Sequence, residues 1–308
     1  MYIEKHTKNN MTLDNTAISR VLGQTVSAPV KYDPSILVRE PRQSNRTHLN
    51  ISDDNLPFVG VDLWNNWEIS ALTDNGLPVT GIAKITYNCN SKYIVESKSA
   101  KLYFNSFNMT QVGGTPEEVI SNIESTSAED LSKFLETDVT VKIRPANSYC
   151  APWRNDEYHR SSILLDKIAP DIVLSKYTES PELLTNIGGL DELTSQKFYS
   201  TLLRSNCRVT NQPDAGDVYI YINSHTLVDP AGLLAYIVSF RGENHFHEEI
   251  CEAIYTRLHA AYKPKDLMVA CYYVRRGSLD INPVRCSDES LIPKDFLNTD
   301  AYIKTPRQ

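Results

Sequence analysis

The sequence predicts an α+β protein in which antiparallel strands carry a helix pair in each of two similar halves. Three observations lead there. Segments that alternate apolar and polar residues recur along the chain, as half-buried strands require. Between them stand segments with proline at the first turn and apolar residues three or four apart. The order of strands and helices in the first half then returns in the second. We place the halves at 18–160 and 161–308.

Residues 1–17 are polar and are expected to be loose, and 31–60, rich in proline, Asn and Asp, reads as extended, irregular chain. From "VDLWNNWEISAL" onward the pattern firms. "GIAKITYNCN" (81–90) and "IVESKSAKLYFNSFN" (94–108) both alternate, and the loop Asn88–Ser91 between them predicts an antiparallel pair. On that reading Glu96 and Lys98 share a strand face with Leu102 and Phe104, an odd place for two charges. "TPEEVISNIE" and "SAEDLSKFLE" predict two helices, the first opened by Thr115 as cap, Pro116, and carboxylates at the positive end. "DVTVKIRP" (138–145) is a strand. In the second half "DIVLSKY" (171–177) and "DVYIYIN" (217–223) read as strands, while "ELTSQKFYSTLLRSN" is ambiguous. Asp229 and Pro230 start one helix. Phe246, Ile250, Ile254, Leu258 and Ala261 give the next a single buried face, and "DLMVACYYVRRG" (266–277) closes as a strand.

Composition excludes several classes. The chain of 308 residues has 31 Lys plus Arg against 38 Asp plus Glu, a net charge of −7, and shows no basic run to offset it. Such a surface repels a phosphate backbone, so direct nucleic-acid binding is not expected. No apolar run approaches the roughly 20 residues of a membrane span. The polar start and the six scattered cysteines predict a cytoplasmic protein with reduced thiols; with no C-x-x-C pair a zinc cluster has no local anchor and no metal site is expected, although ligands could still assemble from distant segments. With 12 glycines and no G-x-G-x-x-G, a Rossmann nucleotide site is not supported.

Some residues could do chemistry. Cys207 lies in "SNCRVTNQPDAGDVYI", followed by Asp214 in a turn sequence. Alone, a cysteine is more often an inert small apolar residue and an aspartate an ordinary turn former. Together on one ordered loop they could serve as nucleophile and proton donor. His247-Glu248 opens a helix, where an acid suits the dipole; equally, a carboxylate there could accept the paired N–H donors of a guanine-like edge. Arg275-Arg276-Gly277 is either a solvated edge or an anion clamp. Trp64 and Trp67 read as core or interface.

Jointly these segments resemble one family, the NADPH-dependent 7-cyano-7-deazaguanine reductases (QueF). "ESKSAKLY" (96–103) with "NSFN" (105–108) resembles its signature, "SNCRVTNQPD" its nucleophile loop, "FHE" (246–248) its base-recognition motif and "RRGSLDINP" (275–283) its cofactor-side motif. "YDPSILVREPRQSNR" and "DNLPFVGVDLW" resemble its amino-terminal half. The likeness covers roughly 20–290, with the motif order of the long, two-module subfamily. It implies tandem tunnelling-fold (T-fold) modules assembling into a barrel, and homodimers. It makes Cys207 the nucleophile and Asp214 the proton donor, sets Val95, Glu96, Ser97, His247 and Glu248 around the deazaguanine, and Ser97, Lys98, Arg276 and Gly277 against NADPH. The chain departs from the pattern at Arg208, Asn211 and Ala215.

The implied reaction reduces the nitrile of 7-cyano-7-deazaguanine to 7-aminomethyl-7-deazaguanine, a free base used later for queuosine in tRNA. It runs through a covalent thioimide on Cys207, and Glu96 and Lys98 then line a pocket between modules or subunits. Two rivals remain at this point: a zinc-dependent pterin enzyme of the same fold, and a non-catalytic purine-binding or tRNA-associated protein.

Overall fold

The computed structural model describes residues 31–146, 161–209 and 211–298. Residues 1–17, Cys150 and the expected boundary at residue 160 fall outside them. The first half runs β1 (Arg39–Pro41), α1 (Arg42–Arg46), β2 (Val59–Thr73), β3 (Pro78–Asn88), β4 (Tyr93–Val95), α2 (Ser97–Ser106), β5 (Gln111–Gly113), α3 (Pro116–Leu135) and β6 (Val139–Pro145). The second runs β7 (Ile163–Leu164), β8 (Asn186–Cys207), β9 (Pro213–Val228), α4 (Pro230–Ser239), β10 (Asn244–His245), α5 (His247–Tyr262), β11 (Asp266–Tyr273), β12 (Leu279–Cys286) and α6 (Lys294–Leu297).

One ten-stranded sheet crosses both halves in the order β10-β8-β9-β11-β12-β2-β3-β6, with β5 beside β2 and β7 beside β8. Its long pairs are antiparallel, and the short strands β5, β7 and β10 pair in parallel. Because strand side chains alternate faces, Val218, Ile220 and Ile222 of β9 with Leu267, Val269 and Cys271 of β11 meet α4 and α5. Trp64 and Ile69 of β2, with Ala83 and Ile85 of β3, meet α2 and α3. The intervening residues Leu63, Tyr219, Met268, Ala270 and Tyr272 form the opposite face, where Phe296 of α6 packs. This is an α+β architecture with a large, mainly antiparallel sheet.

Several expectations need correction. Residues 97–106 are a helix, not a strand: Ser99, Ala100, Tyr103, Phe104 and Ser106 are buried, a spacing of three and four. Glu96 is its cap, its carboxylate accepting from the backbone N–H groups of Lys98 (3.0 Å) and Ser99 (2.8 Å). The short β4 pairs with β1, while β3 pairs with β2 and β6. The two helices expected over 115–136 are one, because Val119, Ile123, Ser127, Leu131 and Leu135 make an unbroken buried stripe. Ser125 and Ser127 do not break it; their hydroxyls donate to the carbonyls of Ser121 (2.9 Å) and Ile123 (2.5 Å). No strand covers 171–177: a 3-10 helix spans Leu165–Asp171 and irregular chain follows. Ala261 is exposed and Tyr262 completes the buried face of α5.

The strand that joins the halves, β12, was not anticipated, since Asp280, Asn282 and Pro283 argue against a central strand. β12 pairs with β2 along Leu279–Cys286 but with β11 only from Val284 to Cys286. Where β11 and β12 part, the amide oxygen of Asn282 accepts the Tyr273 N–H (3.2 Å), and Pro283 lies just outside the stretch that pairs with β11.

A buried ion network crosses the same junction. Glu252 of α5 accepts from Arg46 of α1 (Nε 3.0 Å, Nη2 2.7 Å) and from Arg285 of β12 (Nε 3.2 Å, Nη2 2.9 Å). Asp62 of β2 accepts from Arg285 (2.9 Å) and from Arg42. Burial opposes both carboxylate charges, but Arg285 with Arg42 at Asp62, and Arg285 with Arg46 at Glu252, hold the pair below the usual carboxylate range.

Candidate active site

A cavity of about 250 Å³ opens where α2, the β8–β9 turn, the start of α5 and the β11–β12 turn converge. Cys207 reaches it as the last residue of β8. Its N–H donates to the Gln212 carbonyl (2.8 Å), and its own carbonyl accepts from Asn211 N (3.0 Å) and Asn244 Nδ2 (3.3 Å). This tight loop needs a left-handed residue, and Asn211, at φ 55°, supplies it; asparagine tolerates that region better than most side chains. β10 runs parallel to the end of β8, setting His245 opposite Cys207 and so bringing the 246–248 segment to the thiol loop. The thiol itself is half-buried.

Asp214, the second residue of β9, is 4% exposed, and its Oδ1 lies 2.8 Å from Arg276 Nη2 and 3.3 Å from His247 Nε2. The His247 ring stacks on Tyr273, centroids 3.7 Å apart and planes 7° from parallel, which fixes its orientation. Among the described residues its buried Nδ1 has no hydrogen-bond partner. Glu248 is almost fully buried; desolvation, reinforced by Asp62, pushes its carboxyl up to about 7.

Arg276 and Leu279 exchange backbone hydrogen bonds (2.9 and 3.2 Å) across the turn between β11 and β12. Gly277 in that turn has φ 58°, and a Cβ there would stand 2.0 Å from Lys101 Nζ. The Lys101 ammonium group of α2 therefore lies over the turn, beside Gly277. Lys98 also lines the cavity, and Ser97 is the first residue of α2, at its positive end. Two lysines, an arginine and a helix N-terminus, with a glycine that leaves room beside them, form a set suited to the phosphates of a dinucleotide. Glu96, Asp214 and Glu248 supply the acidic lining.

All ten residues singled out from the sequence border this one cavity: Val95, Glu96, Ser97, Lys98, Cys207, Asp214, His247, Glu248, Arg276 and Gly277. Lys101, Gln212, His245, Leu279 and Ile281 border it too and were missed. For Lys101 a signal existed: once 97–106 is a helix, it falls one turn after Ser97 and Lys98. Arg208, unexplained by sequence, bonds Asn45 and approaches Glu249 (3.5 Å). Trp64 is core, whereas Trp67 donates to Asp280 (2.6 Å) and carries Arg275 over its ring (4.1 Å). Among the described residues no helix is long and apolar enough to cross a membrane.

Residues 29–143 match the family model described as "Nitrile reductase, 7-cyano-7-deazaguanine-reductase N-term", and residues 213–291 the one described as "QueF-like protein". The NADPH-dependent 7-cyano-7-deazaguanine reductase of Dechloromonas aromatica is 39% identical over 290 residues, covering 92% of this chain and 97% of its own. Its namesake in Legionella pneumophila (strain Lens) is 38% identical over 274 residues, 89% of this chain and 92% of its own. The Acidovorax ebreus protein of that name is 38% identical over 297 residues, 96% of this chain and all of its own. The chain is therefore a member of the NADPH-dependent 7-cyano-7-deazaguanine reductase (QueF) family.

Proposed function

We propose that this protein reduces the nitrile of 7-cyano-7-deazaguanine to the aminomethyl group of 7-aminomethyl-7-deazaguanine, in queuosine biosynthesis, through a thioimide on Cys207. One observation carries the reading: a half-buried thiol, a buried aspartate and a buried glutamate share one cavity with a cationic rim.

Glu248 and Glu96 are assigned to the deazaguanine, whose ring N–H and exocyclic amine can pair with a carboxylate. Two backbone N–H groups already engage Glu96, so its capping bonds hold it in a fixed orientation. Val95, Ser97 and His247 complete the base pocket. Cys207 Sγ attacks the nitrile carbon, one C≡N π bond gives way, and nitrogen takes a proton from Asp214. NADPH, when bound, supplies the two hydrides. After the first reaches the thioimide carbon, collapse of the adduct breaks the C–S bond, returns the thiolate and leaves an imine for the second. Ser97, Lys98, Arg276 and Gly277 are assigned to the cofactor, with Lys101 joining them. Arg276 occupies the Asp214 oxygen that His247 also faces, so a phosphate that drew Arg276 away would leave that oxygen to His247 and the substrate.

The family reading extends to tandem T-fold modules at 18–160 and 161–308, a barrel closed between copies in a cytoplasmic homodimer, and no direct contact with RNA. The test is loss of NADPH absorbance on adding the nitrile base, two equivalents per molecule reduced. Intact mass must also show a covalent adduct that Cys207→Ala abolishes. Binding without oxidation of NADPH, or an adduct that survives in Cys207→Ala, overturns the proposal.

A further inference from the structure

His245 borders the cavity and is also one corner of a second cluster. Its Nδ1 lies 3.0 Å from Glu249 Oε1, and His48 Nε2 lies 3.6 Å from the same oxygen. The three donor atoms fall within 4.8 Å of one another. We propose that His48, His245 and Glu249 form a binding site for one divalent transition-metal ion of the zinc type. Zinc bonds of about 2.0–2.2 Å set neighbouring ligands of a tetrahedron roughly 3.3 Å apart, between the two separations found here.

The surroundings of the ligands support this more than the spacing does. His245 directs its other nitrogen, Nε2, at Glu243 Oε2 (3.3 Å), the carboxylate–histidine arrangement that orients metal-bound imidazoles. Glu243 is itself anchored, its Oε1 accepting the Glu179 N–H (2.8 Å). Glu249 Oε2 is held by the Phe246 N–H (3.1 Å) and Arg208 (3.5 Å), which leaves Oε1 facing the two imidazoles. Burial opposes a charge on His245, but Glu243 and Glu249 outweigh it and raise the imidazole to about 9, so in the metal-free chain Nδ1 and Oε1 share a proton. A divalent ion would bind in exchange for that proton, since metal ligation requires the neutral imidazole.

The rings of His48 and His245 stack with centroids 5.5 Å apart and planes 14° from parallel. Closure therefore requires His48 to tilt, and its side chain, 43% exposed, is free to do so. That exposure also leaves a fourth position for water. Two imidazoles and one carboxylate favour Zn²⁺ or Co²⁺ over Mg²⁺ and Ca²⁺, which want oxygen ligands. The ion would tie the 47–49 turn to the first turn of α5, which carries His247 and Glu248. The site stands whether or not the chain reduces nitriles.

The test uses the full chain, stripped with a chelator and titrated at mildly alkaline pH with Co²⁺ by visible absorption and with Zn²⁺ by calorimetry. One ion per chain is expected, with intense low-coordinate Co²⁺ bands and a raised melting temperature. His48→Ala, an exposed change that leaves the core intact, should weaken binding more than tenfold and remove the thermal shift. Glu243→Gln should weaken it by about 10–100-fold through the orientation of His245. His259→Ala, outside the cluster, should change nothing. No binding at micromolar metal, or Co²⁺ bands that persist unchanged in His48→Ala, overturns the proposal.

Discussion

Glu252→Gln isolates the ion network that fastens α5 to the sheet. The substitution keeps shape and one acceptor oxygen but removes the charge that serves Arg46 and Arg285, whose side chains are 1% and 0% exposed. In the native chain Arg42, Arg46 and Arg285 face Asp62, Glu252 and the partly exposed Asp53, three charges of each sign. After the change a buried positive charge is uncompensated, and the amide turns an N–H toward a guanidinium. Leaving one member of a buried ion pair alone costs about 3–5 kcal/mol. Four charge-assisted hydrogen bonds converge on Glu252, so we expect the upper half of that range. Urea unfolding followed by far-ultraviolet circular dichroism reads it as a lower midpoint at an unchanged slope. The double variant Glu252→Gln/Arg46→Met should recover part of the loss, because it removes the orphaned cation as well. A single variant within about 1 kcal/mol of the parent, or a double variant losing the sum of the two single losses, refutes the reasoning.

Other outcomes follow from the same contacts. Asp62 and Glu252 have depressed values in the folded chain, so their stabilisation is fully present above the ordinary carboxylate range and is lost as pH falls through the folded values. Acid unfolding should therefore be less steep in Glu252→Gln, and an identical acid limb would contradict this. Gly277→Ala places a Cβ at positive φ against Lys101, and should raise KM for NADPH about 3–10-fold while leaving the covalent adduct intact; loss of the adduct would move Gly277 to the nitrile side. Glu248→Gln should weaken deazaguanine binding by about 1.5–3 kcal/mol, measured by calorimetry without cofactor, and unchanged affinity would remove Glu248 from the base pocket.

Much of this protein was legible in the sequence. Thr115-Pro116 and Asp229-Pro230 announced two helix starts, because a cap oxygen and a proline act within one turn of chain. The alternation of "DVTVKIRP" gave β6 for an equally local reason. The ten residues that border the cavity were singled out as short motifs, yet nothing in their spacing required them to meet. The segment 94–108 misled because Glu96 looked like a charge on a strand. Its role as a cap depends on where Lys98 and Ser99 point their N–H groups, which alternation does not encode.

The sequence by itself determined the elements whose signals lie within a turn or two of chain, and it named ten residues that the fold brings to one cavity. Tertiary structure alone decided that β12 lies beside β2, that Arg46 meets Glu252 across 206 positions, and that His48 stands against His245. Local signals are short-ranged torsional and capping preferences. Which distant surfaces come together is set by burial and charge pairing summed over the whole chain, a quantity that no single window of residues contains.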